Sequence, residues 1–134
     1  MISFVLQGLP PTTNKAYASI GKGRVLTSEG RKYKQAVRLQ MMELLTDSMV
    51  VEEGYWYSID ITYMFPELLT KTKGAKSPIL RIDTTNREKL LVDTLSEIFG
   101  FDDACLMEVS QRKVVGANPS VHVVLEKLHA FKET

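Results

Sequence analysis

The sequence feature that most constrains the fold is the run YWYSIDITYMF at residues 55–65. Its odd-numbered positions carry tyrosine, isoleucine and phenylalanine, whereas the even-numbered positions carry Trp56, Ser58, Asp60, Thr62 and Met64. Successive side chains of a strand point to opposite faces, and aromatic and β-branched residues favour strands. The run therefore predicts a long, half-buried β-strand around which the other elements can be interpreted.

Two stretches have the periodicity of amphipathic helices. The first is predicted to begin with Ser28 as N-cap and Glu29 in the first turn, and to continue for about 20 residues. The second is predicted to begin near Thr85, which forms a capping-box pattern with Glu88, and to end with Gly100 as its C′ residue. Its apolar side is opposed by a polar side that carries Asn86, Lys89, Asp93 and Glu97.

Shorter strands are predicted at residues 2–6, 24–26, 105–115 and 121–127, and residues 12–23 are predicted to form a basic loop or an irregular hairpin. The turn-rich connector GANPS at residues 116–120 predicts that the last two strands form a β-hairpin. This order of elements predicts an α+β fold with a small mixed β-sheet and two main helices packed on one face. We expect a single domain over residues 1–134.

The cysteine content and the apolar runs of the sequence indicate the cellular compartment of the protein. Cys105 is the only cysteine, which excludes an internal disulfide and a cysteine-based zinc site and favours a reducing compartment. The first residues lack the basic region of a signal peptide and reach Pro10 and Pro11 too soon for one, and no apolar run is long enough to span a bilayer. We therefore expect a cytoplasmic protein without a membrane partner.

The formal net charge of +1 conceals a segregation of charge along the chain. Residues 1–40 hold seven basic side chains against one acid, Glu29, whereas residues 41–70 hold six acids and no base. These blocks could place a basic face for a polyanion beside an acidic pocket. They could instead be charged side chains that solvate opposite faces, and charge alone favours this second interpretation.

Four carboxylates surround the second predicted helix. Asp83 precedes it, Asp93 lies within it, and Asp102 and Asp103 follow it. Carboxylate oxygens suit Mg²⁺ or Mn²⁺, which can assist hydrolysis of a phosphate ester, and Lys89 could stabilise the transition state. The same residues could instead be a helix cap, an i,i+4 surface pair and a turn, so spacing alone does not decide between these alternatives.

Several motifs occur together in the order found in one known family. These are PPTTNKAY at residues 10–17, SEGRKY at 28–33, DTTNREKLLVDTL at 83–95 and the Asp-Asp pair at 102–103. They resemble the conserved stretches of RusA-type Holliday junction resolvases, and the resemblance covers most of residues 3–127. The resemblance implies a small α+β homodimer that nicks four-way DNA junctions symmetrically with Mg²⁺ or Mn²⁺ and needs no small-molecule cofactor.

The resemblance also assigns roles to individual residues. Asp83 and Asp103 match the essential carboxylates and Lys89 matches the catalytic lysine, while Asp83, Asp93 and Asp103 are the implied metal ligands. Thr85 departs from the family, which usually has a second aspartate at this position. A hydroxyl binds a divalent cation weakly, so this substitution suggests either completion of the site by Asp93, lower metal affinity or lost activity.

Basic and polar residues outside this motif are candidates for contact with DNA phosphates. They are Asn14, Lys15, Tyr17, Arg31, Lys34, Arg38, Lys71, Lys73 and Lys76. The leading hypothesis is thus a metal-dependent junction endonuclease. The alternatives are a catalytically weakened or inactive junction-binding protein of the same fold, and an interaction module with an acidic protein-binding face.

Overall fold

A computed structural model describes residues 1–68 and 87–132. A short 3₁₀ helix, Asp103–Cys105, precedes the fifth strand of this part of the chain. The other elements, in chain order, are β1 (Ile2–Gln7), α1 (Thr13–Ala16), β2 (Tyr17–Ile20), β3 (Gly23–Leu26), α2 (Ser28–Leu44), β4 (Tyr55–Phe65), α3 (Glu88–Phe99), β5 (Leu106–Val115) and β6 (Ser120–Ala130). The predicted α+β class is confirmed. None of the described helices has the length and apolar character needed to cross a membrane.

Within the described residues, the main sheet has four strands in the order β1-β6-β4-β5. Strand β4 pairs with β5 in parallel and with β6 in antiparallel orientation, and β6 also pairs antiparallel with β1. The sheet is therefore mixed, as predicted. The predicted hairpin between the last two strands is wrong, because β4 lies between them.

The difference in burial between β5 and β6 explains this order. Strand β6 buries Val121, Val123 and Leu125 almost completely, so it fits a central position in contact with both β1 and β4. Strand β5 exposes most of its residues and lies at one end of the order of the described strands. A direct β5–β6 pair would move one of these strands into a position that its side chains do not match.

One layer of helices covers one face of the sheet. Ile59 and Ile61 of β4 belong to the same buried cluster as Met41 of α2 and Leu91 and Leu95 of α3. Burial of each such side chain stabilises the fold by about 1.5–3 kcal/mol before entropy is considered. The predicted packing of two helices on one face is confirmed.

The helix ends follow capping rules with one correction. Thr27, not the predicted Ser28, is the N-cap of α2, because the Thr27 hydroxyl accepts a hydrogen bond of 3.1 Å from the amide of Gly30. The helix has 17 residues, shorter than the predicted length. Helix α3 begins at Glu88 and ends as predicted at Gly100, whose φ of 72° is in the left-handed region that glycine favours. Thr85, its predicted cap, lies outside the described residues.

Strands β2 and β3 form a two-stranded antiparallel hairpin, one of the two predicted forms of residues 12–23. The hairpin and α1 pack closely on the start of α2. The amide of Thr27 donates to the carbonyl of Ala16 at 2.9 Å, and a Cβ atom on Gly30 would lie only 2.5 Å from the same carbonyl oxygen. Because glycine has no Cβ atom, α2 can approach the carbonyl of Ala16 closely at position 30. This approach brings α1 and the hairpin against the start of α2.

Candidate active site

Helix α3 and the following 3₁₀ helix form a cavity of about 250 Å³ with predicted catalytic residues on its walls. Lys89 and Asp93 are one helical turn apart, and Asp103 joins them from the 3₁₀ helix. The remaining lining residues are Glu88 and Val92. Because residues four apart share a helix face, the local helix alone brings Lys89 and Asp93 together. Bringing Asp103 beside them requires the turn after α3.

Tyr17 joins this group from the N-terminal hairpin. Its hydroxyl donates a hydrogen bond of 2.7 Å to Oδ2 of Asp93, and the same oxygen lies 3.3 Å from Nζ of Lys89. Nζ of Lys89 is also 5.5 Å from the centre of the Tyr17 ring. Burial, followed by the hydrogen bond to Asp93, raises the pKa of Tyr17 above its ordinary value. The phenol therefore stays protonated and acts as a donor to the carboxylate.

The two adjacent aspartates after α3 have different environments. Asp102 accepts a hydrogen bond of 2.9 Å from the amide of Ala104 and caps the 3₁₀ helix. It lines another cavity, of about 300 Å³, together with Cys105. Burial raises the pKa of the Cys105 thiol, which favours the neutral thiol over the thiolate that would bind a metal. Asp103 alone of the pair faces Lys89 and Asp93.

A chain of hydrogen bonds links this cavity to the sheet. The buried Tyr63 hydroxyl donates to Oε1 of Gln111 at 2.9 Å, and Nε2 of Gln111 donates to Oε2 of Glu88 at 3.0 Å. Glu88 thus lines the cavity while its carboxylate is held by the sheet. Sequence analysis assigned Glu88 only to helix capping, since its partners lie on β4 and β5 and have no nearby sequence signal.

Comparison with known families identifies the relationship of the chain. The sequence profile of the family described as "Endodeoxyribonuclease RusA" matches residues 8–126 of the 134-residue chain. The chain belongs to the RusA endodeoxyribonuclease family. Membership in the RusA family implies Holliday junction resolvase activity in general, and RusA resolvases generally depend on divalent metal ions. No curated protein matches the chain.

The basic side chains of α2 in this RusA-family chain are largely engaged within the protein. Nζ of Lys34 lies 2.5 Å from Oε1 of Glu97, and NH2 of Arg38 lies 2.7 Å from Oε2 of the same residue. NH1 of Arg31 donates to the carbonyl of Leu26 at 2.7 Å. Hydrogen bonding from Lys34 is the main cause of the lowered pKa of Glu97. The contacts of Lys34 and Arg38 join α2 to α3, so phosphate contacts by these two residues would compete with Glu97. Arg31 instead joins α2 to β3.

Asn14 and Lys15 are exposed on α1, which keeps them accessible as predicted DNA contacts. The remaining predicted site residues cannot be placed, because they lie outside the described ranges. They are the candidate metal ligand Asp83, the substituted position Thr85 and the loop residues Lys71, Lys73 and Lys76.

The donor chemistry of the cavity fits a hard divalent cation. Among residues 1–68 and 87–132, no three acidic, histidine or cysteine side chains form a group that could hold a metal ion. Mg²⁺ nevertheless needs only one or two protein carboxylates when water completes its coordination, and Asp93 and Asp103 line the same cavity. These two carboxylates are therefore suitable ligands with or without a third.

Proposed function

We propose that this RusA-family protein is a metal-dependent, structure-selective endodeoxyribonuclease that resolves four-way DNA junctions by paired symmetrical nicks. The observation that supports the proposal most directly is the cavity that combines Lys89, Asp93 and Asp103. The positive charge of Lys89 and the carboxylate oxygens of Asp93 and Asp103 suit phosphodiester hydrolysis. Negative charge increases on the phosphate oxygens during this reaction.

Each residue of the cavity has a distinct proposed role. Asp93 and Asp103, together with Asp83, would hold Mg²⁺ or Mn²⁺, and the bound metal would supply charge neutralisation at the phosphate and a water molecule of lowered pKa. Lys89 provides a positive charge to the phosphate oxygens, and its 3.3 Å contact with Asp93 fixes its position. Tyr17 is a positioning residue, since its hydroxyl contacts Asp93 rather than the reacting atoms in this arrangement.

The proposed assembly is a homodimer that acts in the cytoplasm on branched DNA. A two-fold symmetric protein presents two equivalent sites to the two equivalent strands of a four-way junction, which explains how paired nicks arise. Sedimentation equilibrium at the assay concentration tests this assembly. A monomer that still introduces both nicks would contradict it.

A junction-cleavage assay with a matched pair of variants tests the proposed chemistry. Asp103→Asn should lower the cleavage rate at least about a hundredfold in Mg²⁺ or Mn²⁺ while junction binding persists, because a metal-assisted step is worth several kcal/mol. Asp102→Asn is the control, since asparagine preserves the cap on the 3₁₀ helix and the side chain faces another cavity. Asp83→Asn should behave like Asp103→Asn.

Two results would contradict the proposed nuclease. One is junction binding without any cleavage across a range of Mg²⁺ and Mn²⁺ concentrations. The other is equal loss of cleavage in Asp102→Asn and Asp103→Asn, which would show that the side chain facing Lys89 has no special role.

The second candidate function is a junction-binding protein of the same fold with weakened or absent catalysis. Thr85 in place of the family's aspartate favours this alternative because it removes one negative oxygen ligand from the motif. Thr85→Asp distinguishes the two candidates. A gain of cleavage in this variant, from a protein that otherwise only binds junctions, would establish the weakened site.

A further inference from the structure

A separate cavity of about 250 Å³ lies between the loop at residues 9–12 and the start of α2. It is lined by Lys15 of α1, by Glu29 and Tyr33 of α2, and by Arg87, which directly precedes α3. The proposed reaction does not use this combination of side chains.

Two hydrogen-bond donors in the cavity wall lack acceptors. The Tyr33 hydroxyl and Nε of Arg87 are buried without a hydrogen-bond partner in the described part of the chain. Buried donors usually have partners because an unsatisfied one costs about 1–3 kcal/mol. Burial raises the pKa of Tyr33, so its hydroxyl keeps the proton and can donate a hydrogen bond to an acceptor.

The position of Arg87 is fixed from two sides. Its NH1 donates to the carbonyl of Pro10 at 2.6 Å, and its guanidinium carbon lies 5.5 Å from the centre of the Phe65 ring. These contacts hold a positive charge at the cavity without neutralising it, since neither partner carries a negative charge. Arginine held in this way is suited to recognise a phosphate oxygen.

Charge in the cavity favours an anion. Lys15 and Arg87 contribute two positive charges against the single carboxylate of Glu29, and Lys15 forms no ion pair within the described residues. The protonated phenol of Tyr33 adds a third donor group to these two positive side chains. A compact anion with several acceptor oxygens would satisfy the two donors that residues 1–68 and 87–132 leave unpaired.

We propose that this cavity binds a phosphate group, supplied by a DNA backbone phosphodiester next to the one that is cleaved. The assignment to DNA rests on the proposed function. The position of this phosphate next to the cleaved one follows from residues that are neighbours in the chain. Arg87 lines this cavity, and the next residue, Glu88, lines the candidate active site. Likewise Lys15 faces this cavity, whereas Tyr17 two residues later contacts Asp93. Neighbouring residues of the chain therefore line the two cavities, which places them side by side.

Titration with inorganic phosphate at constant ionic strength, followed by the amide NMR signals of the labelled protein, tests the anion site without DNA. Phosphate should shift the signals of Lys15, Glu29 and Arg87 in a saturable manner. Tyr33→Phe should weaken binding about tenfold, the effect of losing one hydrogen bond to a charged group. It should leave the unfolding transition unchanged or slightly more stable, because it removes an unpaired buried hydroxyl.

A charge-matched comparison makes the test specific. Lys15→Gln should weaken phosphate binding and Glu29→Gln should strengthen it, each by up to about fivefold, as expected for exposed charges. Lys32→Gln, at an exposed position of α2 outside the cavity, is the control and should have little effect. Equal effects of Lys15→Gln and Lys32→Gln, or an unchanged affinity in Tyr33→Phe, would overturn the anion site.

Junction binding by the same variants separates the anion site from the proposed nuclease. Weaker junction binding in Tyr33→Phe than in Lys32→Gln supports the assignment to a DNA phosphate, and unchanged junction binding in Tyr33→Phe refutes it. If the unaltered protein binds phosphate in the cavity but binds no junction, the anion site stands while its DNA source and the proposed function both fail.

Discussion

Replacement of Gly30 by alanine should destabilise the protein, although helix propensity alone predicts the opposite. Gly30 lies in the first turn of α2, where alanine would gain up to about 1 kcal/mol of intrinsic helix stability. The added Cβ atom would, however, lie 2.5 Å from the carbonyl oxygen of Ala16 and 3.1 Å from Cδ2 of Leu26. The carbonyl is backbone and cannot rotate away, so α1 and the hairpin have to move.

The magnitude follows from two costs and one gain. Inserting a methyl group into a packed site costs about 1–3 kcal/mol. Movement of Ala16 also strains its 2.9 Å hydrogen bond from the Thr27 amide, which is worth about 0.5–1.5 kcal/mol. After subtraction of the propensity gain, we expect Gly30→Ala to lower the free energy of unfolding by about 1–3 kcal/mol.

Urea denaturation provides the measurement, with the midpoint and slope of the transition recorded for each variant. Ala36→Gly, at an exposed interior position of α2, is the control that measures propensity alone and should cost about 1 kcal/mol. A Gly30→Ala protein that is more stable than the unaltered protein would refute the argument, because it would show that the hairpin moves away from α2 without cost.

Three further predictions follow from individual contacts. Tyr17→Phe removes the donor to Asp93 and should lower the junction-cleavage rate while costing only about 0.5–1.5 kcal/mol of stability, measured by cleavage and urea denaturation together. The pKa of Glu97 is lowered in the folded state, so its contribution to the free energy of unfolding is fully present above the unfolded-state pKa of about 4.5. This contribution is lost as the pH falls through the lower folded-state pKa. Glu97→Gln should therefore weaken the acid dependence of the unfolding midpoint, by a small amount because the pair is partly exposed. Thr27→Ala should cost about 1 kcal/mol in thermal or urea unfolding, whereas Ser28→Ala should cost much less if the cap is assigned correctly.

Local periodicity made much of the fold predictable. The alternation of residues 55–65 predicted the long strand β4, and helical spacing with a final Gly100 predicted the polar and apolar sides of α3. These patterns depend on residues within one or two turns of each other, so the sequence displays them directly. The same locality explains why Lys89 and Asp93 could be expected on one helix face.

Strand order was harder to predict because it depends on competition between distant edges. The GANPS connector is compatible with a hairpin, but β4 offers both of its edges and separates β5 from β6. Chain proximity favoured the hairpin, whereas burial of β6 on the helix-covered face favoured the observed order. Of these two strands, only β6 has buried apolar side chains that alternate with less buried ones, as a central strand with one covered face requires.

Contacts between elements were the main part of the site that sequence analysis did not predict. The hydrogen bond between Tyr17 and Asp93 spans 76 positions, and the ion pair between Lys34 and Glu97 spans 63. No local spacing rule relates such residues. A usable signal did exist for the ion pair, since α2 has a basic stripe and α3 has an acid on its polar face.

The arrangement around Asp93 connects the N-terminal hairpin to the proposed chemistry. Tyr17 and Lys89 both contact Oδ2 of this carboxylate, while Oδ1 has no hydrogen-bond partner among the described residues. Oδ2 thus has two partners within the described residues, which agrees with the proposal that Asp93 binds a cation through Oδ1. Because Tyr17 follows Ala16, a change in the close approach that Gly30 permits would also move the backbone that carries this phenol. Loss of that approach should therefore reduce cleavage as well as stability, even though Gly30 is on a different helix from the candidate ligands.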